Sequence, residues 1–161
     1  MRKFFIPLVF ALLLSACNSD YVNVDVDDYH YSVDIPKSLV VTTETEGSTN
    51  LIIYSVDKEP DGLANCIELR GDWGGEGQFT PEYVRSQFEM WSDVRDKSSL
   101  VSRECNDQDF SFTTKDEKYT RIAKYIYHKN TAAIITICYD KEHEDIFTDE
   151  VIEHVLSSVE F

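Results

Sequence analysis

Thr80-Pro81-Glu82-Tyr83-Val84-Arg85-Ser86-Gln87-Phe88-Glu89-Met90-Trp91-Ser92-Asp93-Val94-Arg95 is the stretch that decides how this chain is built. Thr80 offers a side-chain acceptor at an N-cap, and Pro81 suits the first helical position, where an N–H has no partner to lose. Glu82 lies where the positive end of the helix dipole favours a carboxylate. Val84, Phe88, Trp91 and Val94 then recur at three- and four-residue spacing, one apolar stripe along a helix from residue 81 to about 95. On both sides of this helix the sequence changes to the two-residue period of strands.

Upstream, Tyr29, Tyr31, Val33 and Ile35 fall on one face of a strand that Pro36 ends, with His30, Ser32 and Asp34 on the other. Residues 39–43 form a short second strand, and 51–56 and 65–70 a hairpin across the turn-rich 58–62. Downstream, 100–104, 110–113, 119–127 and 132–139 read as an antiparallel meander with turns at Lys115-Asp116 and Lys129-Asn130. Thr148, Asp149 and Glu150 open a second helix whose apolar face is Val151, Ile152, Val155, Leu156 and Val159. A helix between two groups of strands, with a second closing the chain, predicts an α+β domain. Its antiparallel β-sheet is covered by a central helix and a C-terminal helix.

That order of elements resembles the PsbP/Mog1-like superfamily, together with Tyr31-Ser32-Val33-Asp34-Ile35-Pro36, the capped central helix and the ending Val155-Leu156-Ser157-Ser158-Val159-Glu160-Phe161. The resemblance covers nearly the whole chain after its leader. It implies a layered fold and no shared active site, since members include photosystem accessory proteins, trafficking factors, envelope lipoproteins and secretion-system adaptors.

The leader is a separate matter. Arg2 and Lys3 precede an apolar run over residues 4–14, interrupted by Pro7, which closes on Leu14-Ser15-Ala16-Cys17. The run is about half the ~20 residues needed to cross ~30 Å of hydrocarbon, so it reads as a signal peptide over residues 1–16. Leu14-Ser15-Ala16-Cys17 resembles the lipobox of bacterial lipoproteins. That resemblance implies a diacylglycerol on the Cys17 sulfur, cleavage before Cys17, and acylation of the freed amine. Several acyl chains on one residue make a durable anchor where one chain does not. The family's inner-membrane signal is an Asp after the cysteine; Asn18 stands there, so the expected location is the outer membrane, periplasmic side. Residues 17–28 are expected to be the lipidated tether and 29–161 a single α+β domain.

Composition narrows the partners. With 30 acidic residues against 15 basic, the formal net charge is −15, and loss of Arg2 and Lys3 with the leader makes it more negative. Such a field repels phosphate backbones and anionic headgroups and attracts cations, which excludes nucleic acid. The 42% hydrophobic content is too high for a disordered acidic tail, so the charge belongs to a folded domain.

Candidate chemistry is sparse. Cys66, Cys105 and Cys138 form no Cys-x-x-Cys motif; one disulfide of unassigned pairing with one buried thiol left over is the leading reading, followed by three buried thiols, then a catalytic cysteine. The stretch Gly71-Asp72-Trp73-Gly74-Gly75-Glu76-Gly77 lacks the Lys and Ser/Thr of a phosphate-binding loop. Asp61, Asp72 and Glu76 could hold calcium, but bland turn acids account for them better. Asp72, Trp73, Glu76 and Phe79 make a candidate contact loop, against the alternative that Trp73 and Phe79 pack over the sheet edge. Glu142-His143-Glu144-Asp145 has no zinc spacing, Ser157-Ser158 no nucleophile motif, and no metal site or cofactor is expected.

The expectation for function is a membrane-anchored periplasmic lipoprotein that binds a basic protein partner without catalysis, either immunity- or inhibitor-like or an envelope accessory. The alternatives are a hydrolase of envelope polymers and a binder of small ligands or divalent ions.

Overall fold

The computed structural model describes residues 20–45, 51–57, 64–94 and 99–161. The leader, Cys17 and the candidate ligand Asp61 lie outside the described residues. The chain begins with an antiparallel pair, β1 (Tyr21–Val26) and β2 (Tyr31–Pro36), joined by a 3-10 turn at Asp27–Tyr29 with His30 left-handed at φ 53°. Then come β3 (Val40–Thr45), β4 (Leu51–Ser55), β5 (Cys66–Trp73), α1 (Pro81–Val94), β6 (Leu100–Cys105), β7 (Asp109–Lys115), β8 (Tyr119–His128), β9 (Thr131–Asp140) and α2 (Asp149–Ser157). Strands β3 to β9 form one antiparallel seven-stranded sheet in the order β3-β4-β5-β9-β8-β7-β6. This is the expected α+β architecture, with the upstream hairpin and the downstream meander joined where β9 pairs with β5.

Both helix starts follow from their caps. The Thr80 hydroxyl accepts the Tyr83 N–H at 3.2 Å, and the Thr148 hydroxyl accepts the Val151 N–H at 3.3 Å. The two helices lie on opposite faces of the sheet, because alternate residues of a strand point to opposite sides. On one face, Ile67, Leu69, Ile135 and Ile137 pack with Val33 and Ile35 of β2 and with Ile152 and Val155 of α2. On the other, Phe110 and Phe112 of β7 meet Val84, Phe88 and Trp91 of α1.

One expectation is corrected. Residues 17–28 do not form a tether throughout, since Tyr21–Val26 pairs along its whole length with β2. Val24 and the buried Val26 belong to the larger core. The alternation Val22, Val24, Val26 with Asn23 and Asp25 between is itself a strand pattern. Only Asn18, Ser19 and Asp20 are left between Cys17 and the first strand.

The chain end is sewn to β2. Ser32 and Glu160 exchange two backbone hydrogen bonds at 2.8 and 3.0 Å, and the Ser158 hydroxyl accepts the Asp34 N–H at 2.9 Å. At the other side of β2 the Tyr31 hydroxyl donates to the Arg70 carbonyl at 2.7 Å, and the Thr131 hydroxyl donates to the Tyr29 carbonyl at 2.7 Å. Tyr29 is buried with its ring lying over Gly71, where a methyl group would enter the ring itself. Gly71→Ala should therefore lower stability by about 1–3 kcal/mol, read from the urea midpoint, because either the ring or β5 must move.

Candidate functional site

The structure divides the candidate contact loop. Phe79 is half-buried, its ring 5.3 Å from Tyr83 and 5.0 Å from Tyr127, and it fills the space above Gly74, where a Cβ would come within 2.7 Å of the ring. Asp72, Trp73 and Glu76 are exposed, Trp73 by 46%. Phe79 is thus the peg that holds the loop, and Trp73 is the residue the loop presents.

The loop is ordered by its own backbone. The Gly74 N–H donates to the Asn130 carbonyl at 2.9 Å, which pins it to the turn between β8 and β9. The Gly75 N–H donates to Gln78 Oε1 at 2.7 Å, the Gln78 N–H returns to the Gly75 carbonyl at 3.0 Å, and Gly77 takes φ 72°, where glycine carries no steric penalty. Asp72 Oδ1 accepts the Trp73 N–H at 2.8 Å. The Trp73 ring then stands edge-on to His30 at 5.2 Å and leans toward Tyr29 at 6.4 Å.

More exposed rings share this end of the sheet. His128 stacks on Phe161 at 5.1 Å, and Phe161, 41% exposed, also meets Tyr31 at 6.1 Å. A shallow concavity of about 270 Å³ is bordered by Asp25, Asp27, His30, Glu160 and Phe161. A larger one of about 650 Å³ is bordered by Glu76, Phe79, Thr80, Lys129 and Asn130. Trp73 is tied to both, through His30 to the first and through Gly74 and Asn130 to the second. The result is an aromatic ridge among carboxylates, with Lys129 as the basic residue beside it. Sequence reading found the loop and missed His30, His128 and Phe161, although His30 was already visible on the polar face of the Tyr29–Ile35 alternation.

The other sequence candidates fall elsewhere. Asp140 accepts His143 Nδ1 at 2.8 Å, the Glu142 N–H at 3.0 Å and Asn65 Nδ2 at 3.1 Å, contacts that hold its carboxyl below the usual range, the imidazole first among them. His154 Nε2 meets Asp34 Oδ2 at 3.1 Å, and Ser158 is close by. That trio has the members of a nucleophile relay and not its geometry. The Ser158 hydroxyl donates to the Val155 carbonyl at 3.0 Å and accepts the Asp34 N–H, so it clamps α2 to β2. Among the described residues no three His, Cys, Asp or Glu side chains converge as a metal-ligand set. Asp72, near the end of β5, and Glu76, in the loop after it, are both exposed. Among the described cysteines Cys66 and Cys138 are buried and Cys105 is exposed on edge strand β6, so the fold does not bury all three.

The solution structure of cyanobacterial PsbP (CyanoP) from Synechocystis sp. PCC 6803 aligns with 91% of this chain and 98% of its own, at a TM-score of 0.56 and 9% identity. A crystal structure from Bacteroides thetaiotaomicron VPI-5482 aligns with 81% of this chain and 44% of its own, at a TM-score of 0.50 and 16% identity. No protein-family model matches the sequence, and no curated protein matches it. The likeness is one of fold alone.

The unequal roles of the two aromatics give opposite expectations. Phe79→Ala should cost about 2–4 kcal/mol in chemical denaturation and speed hydrogen exchange at the Gly74 and Gln78 amides. Trp73→Ala should change stability by no more than ~0.5 kcal/mol.

Proposed function

We propose that this protein is a lipid-anchored periplasmic envelope protein that binds a basic protein partner, without catalysis, through the aromatic ridge centred on Trp73. The observation that carries the proposal is an exposed tryptophan backed by His30, with Asp72 beside it in the chain and Asp25 and Asp27 lining the concavity that His30 borders. Tryptophan supplies large contact area with few rotatable bonds and is enriched at binding hot spots. Surrounding carboxylates select a cationic partner and speed its approach, an effect that salt screens. The formal net charge of −15 extends that field over the molecule. A PsbP-like fold is consistent with this reading, since a fold by itself prescribes no chemistry.

The anchor and address rest on Leu14-Ser15-Ala16-Cys17 and Asn18, which favour Cys17 lipidation and the outer membrane. The proposal covers both an immunity- or inhibitor-like protein and an envelope accessory. A small-ligand binder is a second reading, favoured by the 650 Å³ concavity beside Phe79 and Lys129.

Crosslinking and pulldown of the intact protein from cells, at low and moderate salt, tests the proposal. A basic protein should be recovered at low salt and lost as salt rises. Trp73→Ala should weaken its binding about 10- to 100-fold. Asp72→Asn with Glu76→Gln should flatten the salt dependence. Recovery of no protein partner at either salt would sink the binding role. Cys17→Ala should abolish incorporation of labelled fatty acid and release the protein from the membrane fraction; undiminished labelling would refute the anchor.

A further inference from the structure

Two buried cysteines stand opposite each other at the centre of the sheet. Cys66 opens β5 and Cys138 lies near the end of β9, and the strand register pairs them directly. Directly opposed residues share a face, so both side chains point to the side of the sheet that α1 covers further along. Their exposures are 1% and 5%. On either flank the same row continues with Ser55 of β4 and Arg121 of β8, which the register sets directly opposite Cys138.

The backbone fixes what kind of pair this is. The Asn65 carbonyl accepts the Val56 N–H at 3.1 Å, so Asn65 points its backbone toward the β4 side. Its neighbour Cys66 therefore points toward β9, which makes Cys66 and Cys138 a hydrogen-bonded antiparallel pair. Such pairs have Cα atoms about 5.5 Å apart, within the usual span of a disulfide. Their Cβ atoms are about 1 Å further apart than a relaxed disulfide prefers. A bond at this place draws the strands together, stores strain, and is correspondingly easy to reduce.

We propose that Cys66 and Cys138 are a redox dithiol that closes into a strained cross-strand disulfide by exchange with an external disulfide, Cys138 attacking first. The Cys138 thiolate attacks one sulfur of the oxidant, forming a mixed disulfide and expelling one thiolate. Cys66, after losing its proton, attacks the Cys138 sulfur and expels the second. Two protein thiols thereby lose two protons and two electrons, and the oxidant disulfide becomes two thiols. A dithiol oxidase or a low-molecular-weight disulfide such as oxidised glutathione is a competent oxidant.

Arg121 distinguishes the two sulfurs. Burial raises both thiols, Cys66 to about 12 with Cys138 and Glu68 adding to the effect, whereas the Arg121 guanidinium pulls Cys138 back. Arg121 is itself held by Asp116 at 2.7 Å. Burial also means that exchange waits for β5 to open locally, and Cys66 sits at its first residue, where strands fray. The closed bridge ties β5 to β9 across about 70 residues that include α1, so it restricts the unfolded chain strongly. Exposed Cys105 on β6 stands apart from the pair.

The test maps thiols in the intact protein. Cells are quenched in acid, the protein is alkylated while denatured, and it is digested without reductant for mass spectrometry. A Cys66–Cys138 linked peptide with Cys105 alkylated is the expected result. Alkylation of both Cys66 and Cys138, even after equilibration of the folded protein with oxidised glutathione, overturns the proposal, as does linkage of either to Cys105. Reduction should lower the melting temperature by roughly 5–10 °C, and this reductant effect should vanish in Cys66→Ser. Arg121→Gln should slow closure by oxidised glutathione roughly five- to tenfold while leaving the alkylation rate of Cys105 unchanged. An unaltered closure rate removes Cys138 from the attacking role.

Discussion

The structure depends on β9 being buried on both faces. Ile135 and Ile137 face the larger core, where β2 and α2 close over them, while Ala132 and Cys138 are buried on the side that α1 occupies. A strand apolar on both faces can only lie inside a sheet with a layer on each side. It recruits β5 on one flank and β8 on the other, and so joins two meanders that are separate in sequence. The remaining layers follow from where apolar area is left uncovered. The β1–β2 pair and α2 take the wide face, and α1 takes the aromatic patch made by Phe110 and Phe112.

Much of this was legible because the local signals were strong and consistent with one another. The α1 stripe, its Thr80 cap, the meander turns and the second helix all belong to short windows where period and turn chemistry agree. Two things were not. The strand Tyr21–Val26 was read as part of a tether, because a polar run after a leader competes with an alternation of only three valines. Nor did the helix stripes say which face of the sheet each would cover. That choice belongs to long-range register, which shows in no window and emerges only when β5 meets β9.

The candidate site was legible in its location and not in its division of labour. Trp73 and Phe79 flank the same glycines, and nothing in their spacing separates them. Packing does: Phe79 finds Tyr83 and Tyr127, whereas Trp73 ends a strand whose next neighbours are His30 and solvent. The cysteines make the same point more sharply. Their separation in sequence permits any pairing, yet register alone sets Cys66 against Cys138 and leaves Cys105 on an outer edge. Ser158 shows the converse, a serine, histidine and aspartate brought together by folding whose hydrogen bonds serve to hold the C-terminus.

The course of β1 connects the proposed anchor to the proposed surface. β1 starts beside Asp20 and Lys37, where the Lys37 N–H donates to the Asp20 carbonyl at 2.8 Å, and ends at Val26, next to the concavity lined by His30 and Phe161. Six extended residues cover about 20 Å, close to the full height of a small sheet layer. Under the proposed anchor, three residues separate Cys17 from β1, a reach of roughly 10–14 Å, which would set the Asp20 end nearest the bilayer. The Trp73 ridge stands at the other end of the same strand. An acidic domain so anchored would be repelled by anionic headgroups. That repulsion would favour an orientation in which the strand stands upright and the aromatic end faces away from the bilayer. With the proposed anchor, charge and strand direction would together turn Trp73 away from the bilayer, toward the proposed cationic partner.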